Sequence, residues 1–70
     1  MVGDVPVLSD RDVVVLDAVS RGARSKDIAE LLHISVPTVE KRIKLLSQKF
    51  DVHSRHHLIG EAFRQGILRR

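Results

Sequence analysis

The segment from Ser25 to Phe50 places the strongest constraint on how this 70-residue chain can fold. A short segment with helical spacing of apolar residues is followed by a polar break at 33–35, and a longer periodic segment begins at Val36. Ser35 is typical of a helix N-cap, and Pro37 suits the first helical turn because its missing N–H is not needed there. Two helices joined by so few residues must cross steeply to bury their apolar faces, which is the helix-turn-helix arrangement.

The longer of these helices is predicted to have an apolar stripe and a basic outer face. At about 100° per residue, a narrow sector of the helical wheel holds only apolar residues, namely Val39, Ile43, Leu46 and Phe50. Lys41, Lys44 and Gln48 point in nearly the opposite direction. A solvated helix is the simpler interpretation for one helix alone. The short turn and the preceding helix favour a recognition helix in a DNA major groove instead.

The composition argues against several classes of protein. The chain has no cysteine, which fits a reducing cytoplasm, and its longest apolar run, Val13–Leu16, is far too short to span a membrane. Two phenylalanines are too few for stacking on single-stranded bases. There is no glycine-rich phosphate loop, and no serine has an evident base beside it, so we expect neither a cofactor nor an enzyme. The formal net charge is +3, with basic residues concentrated in the second half.

The remaining pattern predicts an all-α domain of four helices with no strand. The predicted helices cover about 9–21, 25–32, 36–50 and 54–65, within a domain spanning 8–70 that follows a linker or disordered lead-in at 1–7. Ser9 and Asp12 have the spacing of a capping box, and Gly22 is a candidate left-handed residue after the first helix. Either Arg24 or Ser25 could cap the second helix, and Ser54 is expected to cap the fourth.

These pieces, taken in order, resemble the helix-turn-helix domain of LuxR/NarL-type (also called GerE-type) bacterial transcription regulators. The matching positions are Leu8-Ser9, Arg11-Asp12, Val15-Leu16, Gly22, Lys26-Asp27-Ile28-Ala29, Leu32, Ile34-Ser35, Thr38-Val39, Lys49-Phe50, Val52, Ser54-Arg55 and Gly66-Ile67-Leu68. The resemblance implies a DNA-binding domain whose third helix enters the major groove and whose fourth helix mediates dimer contacts. It also implies a cytoplasmic, nucleoid-associated protein, with a receiver or ligand-binding domain and RNA polymerase as further partners.

The resemblance and the helical wheel together give three sets of candidate site residues. The residues expected to read bases are Glu40, Lys41, Lys44 and Gln48. The residues expected to contact phosphates are Lys26, Ser35, Thr38, Arg42 and Lys49. The residues expected at a homodimer interface on the fourth helix are Leu58, Ile59, Gly60, Ala62 and Phe63.

The chain departs from the family pattern at several positions. Glu40 stands where the family usually has lysine, so one cation is lost, although glutamate can accept a hydrogen bond from cytosine N4. Arg42 replaces a frequent histidine. Asp51 replaces a glycine, and aspartate tolerates the left-handed conformation better than most residues. Val13 and Val14 replace charged positions. They could be ordinary core or a contact patch for another domain or RNA polymerase.

Three further features have competing interpretations. The alternative function is a degenerate helix-turn-helix that binds protein rather than DNA, which Glu40 and the low net charge would favour. His53, His56 and His57 lack the convergent partners of a metal site, so we interpret them as surface or capping residues. Gly60 is either a residue without a role that the fourth helix tolerates, or a site of close helix–helix approach in a dimer.

Overall fold

The computed structural model describes residues 8–69, which form four helices and contain no strand. Their bounds are α1 Asp10–Ser20, α2 Ser25–Leu32, α3 Val36–Lys49 and α4 Arg55–Arg64. The predicted all-α fold is therefore confirmed, and each predicted boundary agrees within one residue. The proposed lead-in at 1–7 lies outside the described residues.

Side-chain caps define where three of the helices begin. The Ser9 hydroxyl accepts a 3.1 Å hydrogen bond from the Asp12 amide, and the Ser9 amide donates in return to the Asp12 carboxylate at 3.1 Å, which completes the predicted capping box. The hydroxyls of Ser35 and Ser54 accept from amides in the first turns of α3 and α4, at 3.2 Å each. These bonds satisfy amides that have no partner within the helix.

The start of α2 settles the alternative between Arg24 and Ser25. Arg24 is the N-cap residue, with extended backbone angles, and its amide donates to the Asp27 carboxylate at 3.0 Å. Ser25 is the first helical residue, so its hydroxyl is available for a contact outside α2.

Left-handed residues end the helices and make the connections short. Gly22 follows α1 with φ +86°, as predicted. His33 has φ +58° and ends α2, so that only three residues separate α2 from α3. Asp51 has φ +56° after α3, at the position where the family pattern has glycine and a left-handed residue was expected. Because none of these connections is long, the orientation of α3 is closely tied to that of its neighbours.

The core lies around one face of α3, which packs against each of the other three helices, while α1 also packs on α4. The buried apolar residues are Val15, Leu16, Ile28, Ala29, Val39, Ile43, Leu46, Phe50, Leu58, Ala62 and Leu68. The predicted apolar stripe of α3 is thus confirmed in full. Helices this short are marginal alone, so burial of these side chains supplies most of their stability.

Candidate nucleic-acid interface

The outer face of α3, defined by Lys41, Lys44 and Gln48, is exposed along its whole length. It lies opposite the buried stripe because these residues are half a helical turn away from it. Two ammonium groups and one carboxamide therefore project from the helix without being needed for packing. All three belong to the set predicted to read bases, and the structure brings them onto one surface.

Glu40, the fourth residue of that set, lies in a different environment. Arg55, the first residue of α4, donates to both oxygens of its carboxylate at 3.0 and 3.2 Å. The Ser25 hydroxyl, at the start of α2, also donates to this carboxylate, and Arg55 lies 3.2 Å from the same hydroxyl. Glu40, the fifth residue of α3, therefore joins that helix to the first turns of α2 and α4. The family pattern at Ser54-Arg55 carried no indication of this network.

Arg42 turns towards α1 rather than outwards from α3. Its guanidinium donates to the Asp12 carboxylate at 3.3 Å, and Asp12 is the one buried charged residue among those described. The buried Nε of Arg42 has no hydrogen-bond partner among the described residues. Arg42 is thus tied to Asp12 of the α1 capping box, an arrangement that favours a structural role over the predicted phosphate contact.

The environment of Asp12 changes its acidity. Burial by itself raises the pKa of this carboxyl, but hydrogen bonds from Ser9 and Arg42 and the positive charge of Lys49 outweigh burial and lower the pKa below its ordinary value. Asp12 is thus held as a carboxylate that links the start of α1 to α3.

The other predicted phosphate contacts lie at the edges of the helix-turn-helix. Ser35 and Thr38 occupy the start of α3, where their hydroxyl oxygens lie 2.8 Å apart. Lys26 is exposed in the first turn of α2, and Lys49 is exposed in the last turn of α3. These side chains surround the outer face, which is where a nucleic-acid backbone on either side of a groove would pass.

An open groove of about 540 Å³ runs along the α1 side of α3. Its lining combines charged residues with Leu45, a large apolar side chain that is 48% exposed. Sequence analysis did not single out Leu45. The helical wheel contained the signal, because Leu45 falls outside the buried stripe.

The predicted interface residues of α4 divide into two groups. Leu58 and Ala62 are fully buried in the core, so their predicted place in a dimer interface is wrong. Ile59 and Phe63 are half-buried and Gly60 is exposed. A Cβ built on Gly60 meets nothing within 4 Å, so this glycine is not required for packing within the described part of the chain.

The described histidines do not gather into a site. His33 ends α2, and His53, His56 and His57 are exposed around the start of α4. Within residues 8–69 no three histidine or acidic side chains are placed to hold a metal ion together. None of the helices in this range has the length and apolarity needed to cross a membrane.

The fold and the arrangement of α2 and α3 define a helix-turn-helix domain. The family model for bacterial regulatory proteins of the luxR family matches residues 6–62. The chain belongs to this family, whose members are transcription regulators, as the resemblance in the sequence had indicated.

Relatives and a solved structure agree with this assignment. The chain is 36% identical over 62 residues to the oxygen regulatory protein NreC of Staphylococcus haemolyticus, covering 89% of this chain and 29% of that protein. It is 37% identical over 60 residues to the response regulatory protein YgeK of Escherichia coli, covering 86% of this chain and 41% of that protein. The crystal structure of ChrA, a response regulator in a heme-sensing two-component system, superposes with a TM-score of 0.84 at 26% identity, covering 94% of this chain and 33% of ChrA. The chain thus spans less than half the length of each.

Proposed function

We propose that this domain binds double-stranded DNA with sequence specificity, as the effector part of a bacterial transcription regulator, with α3 in the major groove. The observation that carries the proposal is the exposed outer face of α3 directly opposite its buried stripe. An α-helix fits the major groove of B-DNA, where the pattern of donors and acceptors distinguishes all four base pairs.

Within this proposal, Lys41, Lys44 and Gln48 read bases. Lysine donates to guanine O6 and N7, and glutamine can pair with adenine N6 and N7. Ser35, Thr38, Lys26 and Lys49 contact phosphates and fix the register of the helix on the duplex.

Glu40 and Arg42 serve to position α3 rather than to bind DNA. Each makes an ion pair with another helix, Glu40 with α4 and Arg42 with α1, at 3.0 and 3.3 Å. These two pairs lie on opposite flanks of the apolar stripe, so they oppose rotation of α3 in either sense. Positioning of this kind matters because base recognition requires the lysines to be held in register with the groove.

The relatives support a multidomain setting. Two of the similar proteins are named as response regulators, and the chain covers less than half of each. We therefore propose a receiver domain as the regulatory partner of this domain, and a homodimer on DNA formed through Ile59, Gly60 and Phe63 of α4.

The ion pair between Glu40 and Arg55 bears on the alternative of a protein-binding module. The negative charge of Glu40 and the low net charge are the two features that favour that alternative. Because Arg55 balances this charge locally, Glu40 does not by itself make the surface unfavourable for a polyanion.

The test is binding of a fluorescent random duplex, followed by selection from randomised duplexes. We expect binding to the random duplex at low salt and enrichment of a defined site. A double Lys41→Ala and Lys44→Ala variant should lose both the binding to random duplex and the enrichment of a defined site. The matched control is a double Arg21→Ala and Arg69→Ala variant, which removes two charges from the groove between α1 and α4. Equal binding by the two double variants, or no binding by the parent protein, would reject the proposal.

A further inference from the structure

Leu45 is an exposed apolar residue in the middle of the proposed DNA-binding surface. It is 48% exposed although it lies near the centre of the longest helix, where most apolar side chains are buried. Burial is therefore not the reason for leucine at this position. A polar residue at this position would not disturb the core, so the presence of an apolar side chain needs another explanation.

Leu45 lies close enough to the outer face to reach a base. At about 100° per residue, Lys41 and Gln48 mark the centre of that face, and Leu45 and Lys44 lie about 50° to either side of it. Leu45 is thus as well placed as Lys44, on the flank that borders the groove towards α1. Lysines stand one turn before it and one turn after it, at 41 and 49.

The charges around Leu45 indicate what would cover it. An apolar side chain between two lysines suits a surface that is anionic at its edges and offers an apolar group at its centre. The major groove of DNA has this character, because phosphates line its edges and the 5-methyl group of thymine projects into it.

We infer that Leu45 reads a thymine by contact with its 5-methyl group, and so determines specificity at one operator position that the lysines cannot define. The inference rests on the proposed DNA binding. It adds an apolar readout beside the lysine contacts to guanine, so the preferred site contains a thymine next to the bases read by Lys41.

The test removes the methyl group from the DNA and the side chain from the protein, separately and together. The duplex selected by the parent protein is remade with deoxyuridine in place of each thymine in turn, which deletes only the methyl. We expect one position per half-site at which the parent loses about four-fold in affinity, the factor that corresponds to burying one methyl group. Leu45→Ala should show no further loss from deoxyuridine at that position.

Leu31→Ala is the matched control, since Leu31 is an exposed leucine on α2 at 60% exposure. It should retain the sensitivity to deoxyuridine that Leu45→Ala loses. Leu45→Ala is expected to fold, because the residue is half exposed and alanine favours helix; the helical circular dichroism spectrum checks this.

Each other outcome has a definite meaning. Specific binding that is insensitive to deoxyuridine at every thymine overturns the role of Leu45 and leaves the proposed function intact. A deoxyuridine effect that persists in Leu45→Ala assigns the methyl contact to another residue and also overturns the inference. Absence of any duplex binding by the parent overturns the proposed function itself, and the inference with it.

Discussion

Glu40 shows at the scale of one residue how an acidic side chain on the proposed recognition helix can have its charge balanced by a neighbouring helix. Its partner Arg55 is held on the next helix, and both side chains are about half exposed, so the pair contributes within about 1 kcal/mol to stability. Its main effect is on geometry and on local charge.

Replacing Glu40 tests this interpretation directly. Glu40→Lys should raise affinity for random duplex, because two units of positive charge are added beside the outer face. It should lower the free energy of unfolding by up to about 1 kcal/mol, because Arg55 then faces a like charge. Anisotropy with random duplex and urea denaturation measure the two effects. Glu40→Gln is the control, with a smaller rise in affinity; a fall in random-duplex affinity for Glu40→Lys would contradict the interpretation.

Asp12 gives a prediction about acid stability. Its folded pKa lies below the unfolded value of about 3.9, so the carboxylate stabilises the fold above that pH, and this stabilisation is lost as pH falls through the folded pKa. Asp12→Asn should therefore reduce the free energy of unfolding at pH 7 by about 1 kcal/mol. Below about pH 4, the free energy of unfolding of this variant should fall less steeply with decreasing pH than that of the parent. Urea denaturation across this range gives both values.

Asp10→Asn is the control for Asp12, because Asp10 is in the same first turn of α1 but exposed. It should leave most of the acid sensitivity in place. If the two variants lose stability equally at every pH, the link from Asp12 to Arg42 does not stabilise the domain.

At the scale of a helix, we expect α3 to separate base reading from backbone contact by position. Lys41→Ala and Lys44→Ala should each relax the base preference at particular operator positions, by about 1–3 kcal/mol of discrimination. Lys49 lies in the last turn of α3. Lys49→Ala should therefore weaken binding to all DNA sequences about equally and lower the salt slope by about one unit. Binding each variant to randomised duplexes distinguishes these cases. Unchanged base preferences in the first two variants would place the recognition surface elsewhere.

The proposed interface on α4 can be tested at a position that the fold does not need. Gly60→Leu should reduce dimer formation on operator duplex, because a bulky side chain projects from the exposed face between Ile59 and Phe63. The monomer should remain folded, and Gly60→Ala should be stabilised by up to about 1 kcal/mol. Sedimentation with and without duplex measures dimerisation. A Gly60→Leu variant that dimerises on DNA like the parent would exclude this face.

At the scale of the whole molecule, the modest net charge of +3 still permits dependence on salt, because α3 carries four basic residues against one acid. Each phosphate contact contributes about 0.9 to the slope of log affinity against log salt. The two lysines assigned to phosphates, Lys26 and Lys49, predict a slope of about −2 per protomer, and about twice that for a dimer on DNA. Titrations between 50 and 200 mM salt measure it, and a flat response would exclude these contacts.

The sequence by itself determined the four helices, the capping serines of α1, α3 and α4, the left-handed Gly22 and the buried stripe of α3. All of these depend on neighbouring residues and on helical periodicity, which are local properties. It also placed Lys41, Lys44 and Gln48 on one face, since that follows from the same periodicity.

Only the tertiary structure decided which polar side chains are free to meet a ligand. Glu40 and Arg42 were among the expected DNA contacts, yet their partners Arg55 and Asp12 lie on other helices, 15 and 30 residues away. Leu58 and Ala62 looked available on α4, yet the packing of α4 against α1 and α3 buries them. Pairings between helices depend on how the elements cross in space, and helical periodicity contains no information about that crossing.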